Sequence, residues 1–186
     1  MELIFNMKTA IRLNNIKEYY FSKKLREIEE LRSSGIDVIN AGIGSPDLAP
    51  HHSVITELQD QSNNENAHKY QSYKGITELR NSFSLWYKNY FDSVLDPNSE
   101  ILPLMGSKEG IMHISLAFLG KGDQVLVPDP GYPTYSAAAN IAEAEIINYD
   151  LNENKDWLPD LKALEKLNLE KVKIMWINYP HMPTGA

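Results

Sequence analysis

From residue 105 onward, the sequence alternates between helical and extended patterns, and this alternation limits the possible folds more than any other feature. Apolar residues with helical spacing follow Met105, and the pattern ends at Gly120 and Gly122. Val125-Leu126-Val127 is a short apolar run of the kind found in buried strands. A helix rich in small residues is predicted next, from about Thr134 to Ala142.

The same order of elements is repeated further along the chain. A strand is predicted from Glu145 to Tyr149, a helix from Leu158 to Leu167 and a last strand from Val172 to Asn178. Strands joined through helices lie parallel, because the connection has to return to the same end of the sheet. The sequence therefore predicts an α/β fold, a three-layer α/β/α arrangement with a mostly parallel sheet.

The part of the chain before residue 105 is more helical and more irregular. Helices are predicted from Ile16 to Leu31, from Ser53 to Gln59 and from Gly75 through Tyr90. Val38-Ile39 is predicted to form a short strand between the first two helices. A helical N-terminal segment is therefore expected ahead of the sheet domain.

Charge and composition exclude several classes of function. The chain has 186 residues and a formal net charge of −7, and its lysines and arginines are scattered. Nucleic-acid binding needs clustered basic residues and is not expected. Because cysteine is absent and the histidines lack metal-ligand spacing, neither a disulfide nor a metal site is expected. Apolar runs too short to cross a bilayer and the absence of a signal-peptide pattern predict a soluble cytoplasmic protein without a membrane partner.

Gly106-Ser107 stands where the chain enters the helix that follows Met105. Backbone N–H groups at a helix N-terminus have no partner within the helix, and glycine lets an anion approach them closely. The pair could form a phosphate-binding turn. It could equally be an ordinary helix cap, which is the commoner role of an isolated Gly-Ser pair.

Two further loops follow predicted buried strands. One is Pro128-Asp129-Pro130-Gly131-Tyr132-Pro133-Thr134-Tyr135, and the other runs from Asn178 to Gly185. In open α/β sheets, ligands bind at the carboxyl ends of the strands. Tyr132 could therefore offer its ring as a stacking surface, or Tyr132 and Tyr135 could simply pack the loop. Convergence of three loops at one sheet edge is a stronger indication of a binding site than any single loop.

Taken together, these segments resemble the class I and II aminotransferases of fold type I, whose cofactor is pyridoxal phosphate. The resemblance covers essentially the whole chain in order. Its motifs are Asn40-Ala41-Gly42-Ile43-Gly44-Ser45-Pro46-Asp47, Tyr70 with Gly75 and Leu79-Arg80, Gly106-Ser107-Lys108-Glu109-Gly110, the Tyr132 loop, and Pro183-Thr184-Gly185.

The resemblance implies a division of the chain and a cofactor site. Residues 1–50 would form an N-terminal arm and part of a small domain, and residues 51–186 the N-terminal part of an incomplete large domain. The turn at Gly106 would hold the cofactor phosphate through the backbone N–H groups of Ser107 and Lys108. Tyr132 would stack on the pyridine ring, and Tyr70 would reach the phosphate of a partner subunit in a homodimer.

The resemblance also implies a substrate site and exposes one departure from the family. Ile43 and Gly44 would lie beside the amino acid and 2-oxo acid substrates. The family has asparagine at the position of Met182, where its amide donates to the ring hydroxyl of the cofactor, and methionine has no such donor. Asn178 or His181 could compensate.

The functions that the family places beyond this point are not found in the 186 residues. They are an aspartate for the pyridine nitrogen, a lysine that binds the cofactor covalently and moves the proton, and an arginine for the substrate carboxylate. No catalytic residue is therefore assigned here, and the chain alone is expected to self-associate and to be inactive. Two hypotheses stay open: an incomplete aminotransferase of amino-acid metabolism, and a non-catalytic remnant that binds a phosphate ligand or a partner protein.

Overall fold

The computed structural model of the chain describes residues 8–14, 16, 18–42 and 44–186. In these ranges the α-helices are α1 Tyr20–Ser33, α2 His52–Ser62, α3 Thr77–Phe91, α4 Ser107–Phe118, α5 Pro133–Ile141 and α6 Leu161–Leu164. The strands are β1 Gln124–Asp129, β2 Glu145–Asp150 and β3 Val172–Met175. Short 3-10 helices occupy Ile11–Leu13, Glu65–His68 and Glu153–Lys155. In the same ranges, no helix has the length and apolar character needed to span a membrane.

The chain divides into two compact units. One contains residues 104–186 together with the described residues before Glu18, and the other is Glu18–Pro103. The first unit holds all three strands and helices α4 to α6, and the second holds α1 to α3. The division of the chain at residue 50 that the family resemblance implies stays a prediction.

The three strands form one parallel sheet in the order β2-β1-β3. β1 pairs with β2 from Gln124 opposite Glu145 to Asp129 opposite Asp150, without interruption. Its pairing with β3 contains one irregularity, between Gln124 and Val125. The predicted alternation of helix with parallel strand is confirmed.

Helices cover both faces of the sheet because side chains of β1 point alternately to its two sides. Val125 and Val127 pack with residues of α4 and α5, among them Ile111 and Ala139. Leu126 lies on the other face with Tyr149, Leu151 and Leu164, the last of which belongs to α6. This is the predicted three-layer α/β/α arrangement, present as a small, incomplete α/β domain.

The second unit is helical, as predicted, but it buries little. Arg80 in α3 is the only one of its described residues that is fully buried. Large apolar side chains of the same helix stay exposed, and the exposed fraction is 46% for Trp86 and 71% for Tyr90. Large apolar side chains of α3 are thus left uncovered within this unit.

Two predicted elements were wrong in detail. Val38-Ile39 forms no strand, because it has no neighbouring strand to pair with; the Val38 carbonyl accepts from the Arg32 side chain instead, and Ile39 is 91% exposed. The helix predicted from Leu158 to Leu167 spans only α6. Pro159 disfavours helical backbone at the residue before it, and the Asp160 side chain caps the later start by accepting from the N–H of Ala163 at 3.1 Å.

The other boundaries shift by a few residues. The first predicted helix begins at Tyr20 rather than Ile16, the second ends at Ser62 rather than Gln59, and the last strand ends at Met175 rather than Asn178. Where a helix or a strand ends depends on the contacts made at that point, and the spacing of apolar residues does not encode those contacts.

Candidate functional site

The N-terminus of α4 is built as an open turn. Gly106 precedes the helix with φ 105° and ψ 155°, a backbone conformation that is essentially restricted to glycine. It makes no side-chain cap, and a Cβ at this position would meet no atom within 4 Å. Ser107 and Lys108, the first residues of the helix, are both exposed. The first turn of α4 therefore presents backbone donors toward open space.

The one carboxylate in this turn caps the start of the helix. Glu109 accepts a hydrogen bond from the backbone N–H of Met105 at 2.6 Å, in the manner of a capping box. Its other oxygen lies 3.6 Å from Nε2 of His113, one helical turn further on. Glu109 thus stabilises the entry of the chain into α4.

The loop that follows β1 is fixed by a close approach of two backbone segments. A Cβ on Gly131 would overlap the Pro128 carbonyl oxygen and lie 2.9 Å from the Pro128 ring, so only glycine fits. This turn places Tyr132, half-buried, at the start of α5. The ammonium of Lys108 lies 5.7 Å from the centroid of the Tyr132 ring. The structure therefore brings the α4 turn and the Tyr132 loop together, as predicted.

A chain of aromatic rings connects Tyr132 with the segment after β3. The rings of Tyr132 and Tyr135 meet edge to face, with centroids 5.8 Å apart. The Tyr135 ring stacks on Trp176, with centroids 5.0 Å apart and planes 13° apart. The Tyr149 hydroxyl on β2 donates to the Trp176 carbonyl at 2.6 Å. Side chains thus link the α4 turn and the Tyr132 loop to the segment that directly follows β3, ahead of the third loop.

Burial controls the ionisation of two of these phenols. Removal from water raises the pKa of Tyr135, and the neighbouring Tyr132 raises it further. Burial also raises the pKa of Tyr149 to about 12, with smaller contributions from Tyr179 and Tyr135. Both therefore stay neutral at ordinary pH and act as hydrogen-bond donors and ring surfaces rather than as proton acceptors.

The loop from Asn178 to Gly185 is closed by its own hydrogen bonds. The backbone N–H of Met182 donates to the Asn178 side-chain oxygen at 3.0 Å. The N–H of Gly185 donates to the His181 carbonyl, and the N–H of His181 donates to the Ala186 carbonyl, both at 2.7 Å. The Met182 side chain is 57% exposed. The loop therefore presents a thioether, with no N–H or O–H, where the family has an amide donor.

His181 is the buried residue of this loop. Its side chain is 3% exposed, and its Nδ1 lies 2.7 Å from the Thr184 hydroxyl. Nε2 is buried without a hydrogen-bond partner among the described residues. The Thr184 hydroxyl oxygen also accepts from the N–H of Ala186 at 3.4 Å. His181 and Thr184 together therefore hold the C-terminal end of the loop.

The remaining predicted residues belong to the other unit. Tyr70 lies in an irregular segment with a fully exposed ring, and Gly44 is also exposed, with no atom within 4 Å of a Cβ built on it. Ile43 lies outside the described residues. The roles of these three positions stay predictions. No group of three or more potential metal ligands occurs in the part of the chain that the structure describes.

The sequence of residues 36–186 matches the profile of the family described as Aminotransferase class I and II. The chain belongs to the class I and II aminotransferases. It is 41% identical over 180 residues to an LL-diaminopimelate aminotransferase of Dehalococcoides mccartyi, a match that covers 97% of this chain and 46% of that protein. With an LL-diaminopimelate aminotransferase of Aquifex aeolicus it shares 42% identity over 175 residues, 94% of this chain and 45% of that protein.

Two solved structures superpose on most of the chain and share its fold. BacF from Bacillus subtilis superposes with a TM-score of 0.91 at 31% identity, over 97% of this chain and 46% of that one. An alanine aminotransferase from Pyrococcus furiosus superposes with a TM-score of 0.85 at 27% identity, over 96% and 46% of the two chains. The chain thus spans about half the length of the aminotransferases that it matches.

Class I and II aminotransferases use pyridoxal phosphate, and two of the three loops fit that cofactor. The open turn at Gly106 suits an anion, since no atom lies within 4 Å of a Cβ built on Gly106. Tyr132 offers a ring beside this turn, positioned by Gly131 and Tyr135. The third loop does not fit at Met182, because a thioether cannot donate to the cofactor's ring oxygen.

Two buried or half-buried side chains, one in each unit, were not assigned a role by the sequence. Trp176 follows the last strand and joins β2 to the aromatic rings, and Arg80 is buried in α3. A tryptophan at the end of an apolar strand is a signal that could have identified the first. The arginine stands within the Leu79-Arg80 motif, but its partners are backbone carbonyls, which no side-chain pattern reveals.

Proposed function

We propose that this chain forms the cofactor-phosphate half of an aminotransferase site, in a protein that moves an amino group between an amino acid and a 2-oxo acid. The observation that carries the proposal is the 5.7 Å approach of the Lys108 ammonium to the Tyr132 ring. It joins an open helix N-terminus to an aromatic face, which are the two surfaces that a phosphorylated pyridine ring requires.

Each residue of this half-site has a defined task. The first turn of α4, from Gly106 to Lys108, would hold the phosphate through backbone N–H groups, aided by the helix dipole. The Ser107 hydroxyl adds a further donor, and the Lys108 ammonium adds positive charge. The Tyr132 ring would lie against the pyridine ring and keep water from that face. When bound, pyridoxal phosphate supplies the electron-withdrawing ring that accepts charge from the substrate carbon.

The remaining site assignments are part of the same proposal. Tyr70 would reach the phosphate bound by a second subunit of a homodimer, and Ile43 and Gly44 would lie beside the substrate. Asn178 would flank the cofactor ring, and Met182 would contact it without donating. The proposal places the protein in the cytoplasm. LL-diaminopimelate is the first substrate to test, because relatives named for it share 41% identity with this chain.

Activity is proposed to need groups that the 186 residues do not contain. None of the residues at the site is a lysine placed to bond the cofactor ring covalently, since Lys108 belongs to the phosphate turn. A proton at the substrate carbon therefore has no base here that could move it. We expect the 186-residue chain by itself to show no transamination of LL-diaminopimelate, alanine or aspartate.

A second candidate function is favoured by Met182 alone. A non-catalytic protein that binds a phosphate ester or a partner protein would have no need for a donor to the ring oxygen. The two candidates differ in one observable property. A cofactor site prefers a phosphorylated pyridine ring over inorganic phosphate, whereas a general phosphate site binds both with similar affinity.

The test of the proposal uses deoxypyridoxine phosphate, which has the ring, its hydroxyl and the phosphate but no aldehyde to react with surface lysines. Calorimetric titration into Ser107→Asp should show at least about a tenfold loss of affinity, because the new carboxylate repels the phosphate. Ser53→Asp is the matched control, since it places the same charge near the N-terminus of another helix, α2. Equal affinities for both variants and the wild type would contradict the phosphate assignment.

A further inference from the structure

Arg80 is the buried cation of the Glu18–Pro103 unit, with 7% of its surface exposed. The four groups that accept hydrogen bonds from it are all neutral. Nε donates to the Pro97 carbonyl at 2.8 Å, and Nη1 donates to the carbonyls of Lys74, at 3.3 Å, and Gly75. Nη2 lies 3.4 Å from the Thr77 hydroxyl. Burying a charge among neutral groups is costly unless hydrogen bonds compensate, and these contacts supply that compensation.

The groups that Arg80 contacts belong to two separate turns. Lys74 and Gly75 end the turn ahead of α3, and Pro97 lies in the turn that follows the helix. A planar guanidinium has donors on three separate nitrogens that reach both turns at once, whereas the three donors of an ammonium all radiate from one nitrogen. Arg80 therefore holds together two stretches of backbone, Lys74-Gly75 and Pro97, that lie on either side of α3 in the sequence.

Apart from Arg80, the turn ahead of α3 is linked to the turn after the helix by a long, exposed bond of 3.4 Å from the Lys74 ammonium to the Asn98 carbonyl. Gly75 has φ 76° and donates its N–H to the Ser72 carbonyl at 2.8 Å, while a Cβ here would lie 3.2 Å from the ring of Pro103. The N-cap position of α3, Ile76, makes no side-chain cap. Tyr70 lies just before this turn, and its fully exposed ring has no packing of its own to fix it.

We propose that Arg80 is a positioning residue that fixes the turn at Lys74 and Gly75 and, through it, the segment that carries Tyr70. The effect on Tyr70 matters for cofactor binding only if the proposed function is correct. The clamp itself is a property of this unit and is independent of that function. Arg80 touches neither substrate nor cofactor in this proposal.

Hydrogen exchange of the 186-residue chain tests the clamp directly. Arg80→Lys retains the buried charge and the stem, and we expect the Gly75 and Lys74 amides to exchange on the order of tenfold faster, since the turn loses its carbonyl contacts. Amides of α4, in the other unit, should not change. Arg80→Met removes every donor and should show the larger effect at the same amides.

Arg32→Met is the matched control, because Arg32 also donates to a carbonyl, that of Val38 at 3.0 Å, but from the exposed surface of α1. It should leave exchange at Lys74 and Gly75 unaltered. Unchanged exchange in both Arg80 variants would overturn the clamp. Equal acceleration across both units would also overturn it, because the arginine would then support folding in general.

A cycle of variants tests whether Arg80 acts through Tyr70. Affinity for deoxypyridoxine phosphate is measured for Tyr70→Phe, for Arg80→Lys and for the pair. If Arg80 acts through Tyr70, the pair loses no more affinity than the larger single variant; additive losses would overturn this route. If the wild-type chain binds no ligand, the proposed function fails and with it the cofactor role of Arg80, while hydrogen exchange still decides the clamp.

Discussion

The ring of Tyr135 stacks almost parallel on that of Trp176, with centroids 5.0 Å apart and planes 13° apart. Tyr135 belongs to α5 and Trp176 to the segment after β3, so the contact connects the helix that begins at the Tyr132 loop with the end of the last strand. The Trp176 carbonyl is held at the same time by the Tyr149 hydroxyl, at 2.6 Å. The carboxyl end of the sheet is thus a connected structure before any cofactor binds.

Tyr149 should make the stability of the chain fall at high pH. Burial raises its pKa from 10.0 to about 12, so the fold favours the neutral phenol. This contribution is fully present below pH 10 and is lost as the pH rises through 12; complete loss amounts to roughly 2–3 kcal/mol. Urea unfolding from pH 8 to 12 should show a steeper decline for the wild type than for Tyr149→Phe. Parallel declines would contradict this.

Replacing Met182 by asparagine should strengthen ligand binding. The amide restores a donor to the ring oxygen, and a hydrogen bond to a charged oxygen contributes about 1.5–3 kcal/mol, so affinity for deoxypyridoxine phosphate should rise about tenfold or more. Met182→Leu is the control, since it changes shape but adds no donor, and it should leave the affinity unaltered. If Met182→Asn and Met182→Leu bound the ligand with equal affinity, the ring oxygen would not lie within hydrogen-bond reach of residue 182.

Gly106 should not tolerate a side chain, although the space around it is open. At φ 105° and ψ 155° an alanine is strained, which should cost about 1–3 kcal/mol or force the turn to change. Gly106→Ala should therefore weaken phosphate binding as well as stability. Gly120→Ala is the matched control, because a Cβ there makes only an ordinary 3.7 Å contact with Asp123. Similar losses in both variants would argue against a special turn.

Tyr132 should contribute through its ring rather than its hydroxyl. Tyr132→Phe retains the face, and we expect its affinity for deoxypyridoxine phosphate to stay within about twofold of the wild type. Tyr132→Ala loses the stacking surface, which is worth about 0.5–1.5 kcal/mol, or roughly a threefold to tenfold weaker complex. Isothermal titration of both variants distinguishes them. If both lose the same affinity, the hydroxyl and not the ring makes the contact.

Sequence patterns were sufficient for the elements whose residues pack against the sheet. The order of helices and apolar strands after residue 105 predicted the three layers, and Val125 and Val127 pack on one face of the sheet and Leu126 on the other. Patterns failed where pairing partners or caps decide the outcome, as at Val38-Ile39 and at the shortened α6. The residues of a predicted strand do not reveal which other strand, if any, will pair with it.

The site was predictable in its loops but not in its internal links. Glycine and proline in the Tyr132 loop, and the Gly-Ser pair at α4, indicated the turns that the structure has at Gly131 and Gly106. The stacking of Tyr135 on Trp176 and the buried ring of His181 depend on contacts between elements far apart in the chain. Such contacts leave no signature in the order of residues.

The most direct test of a cofactor-phosphate site compares deoxypyridoxine phosphate with deoxypyridoxine, the same ring without the phosphate, by calorimetry on the unaltered 186-residue chain. The open turn at Gly106 and the ring of Tyr132 predict that the phosphorylated ligand binds at least about tenfold more tightly, since charge-assisted bonds to the helix N-terminus are lost without it. Inorganic phosphate should compete only weakly. Equal affinity for both ligands, or no binding of either, would contradict the assignment.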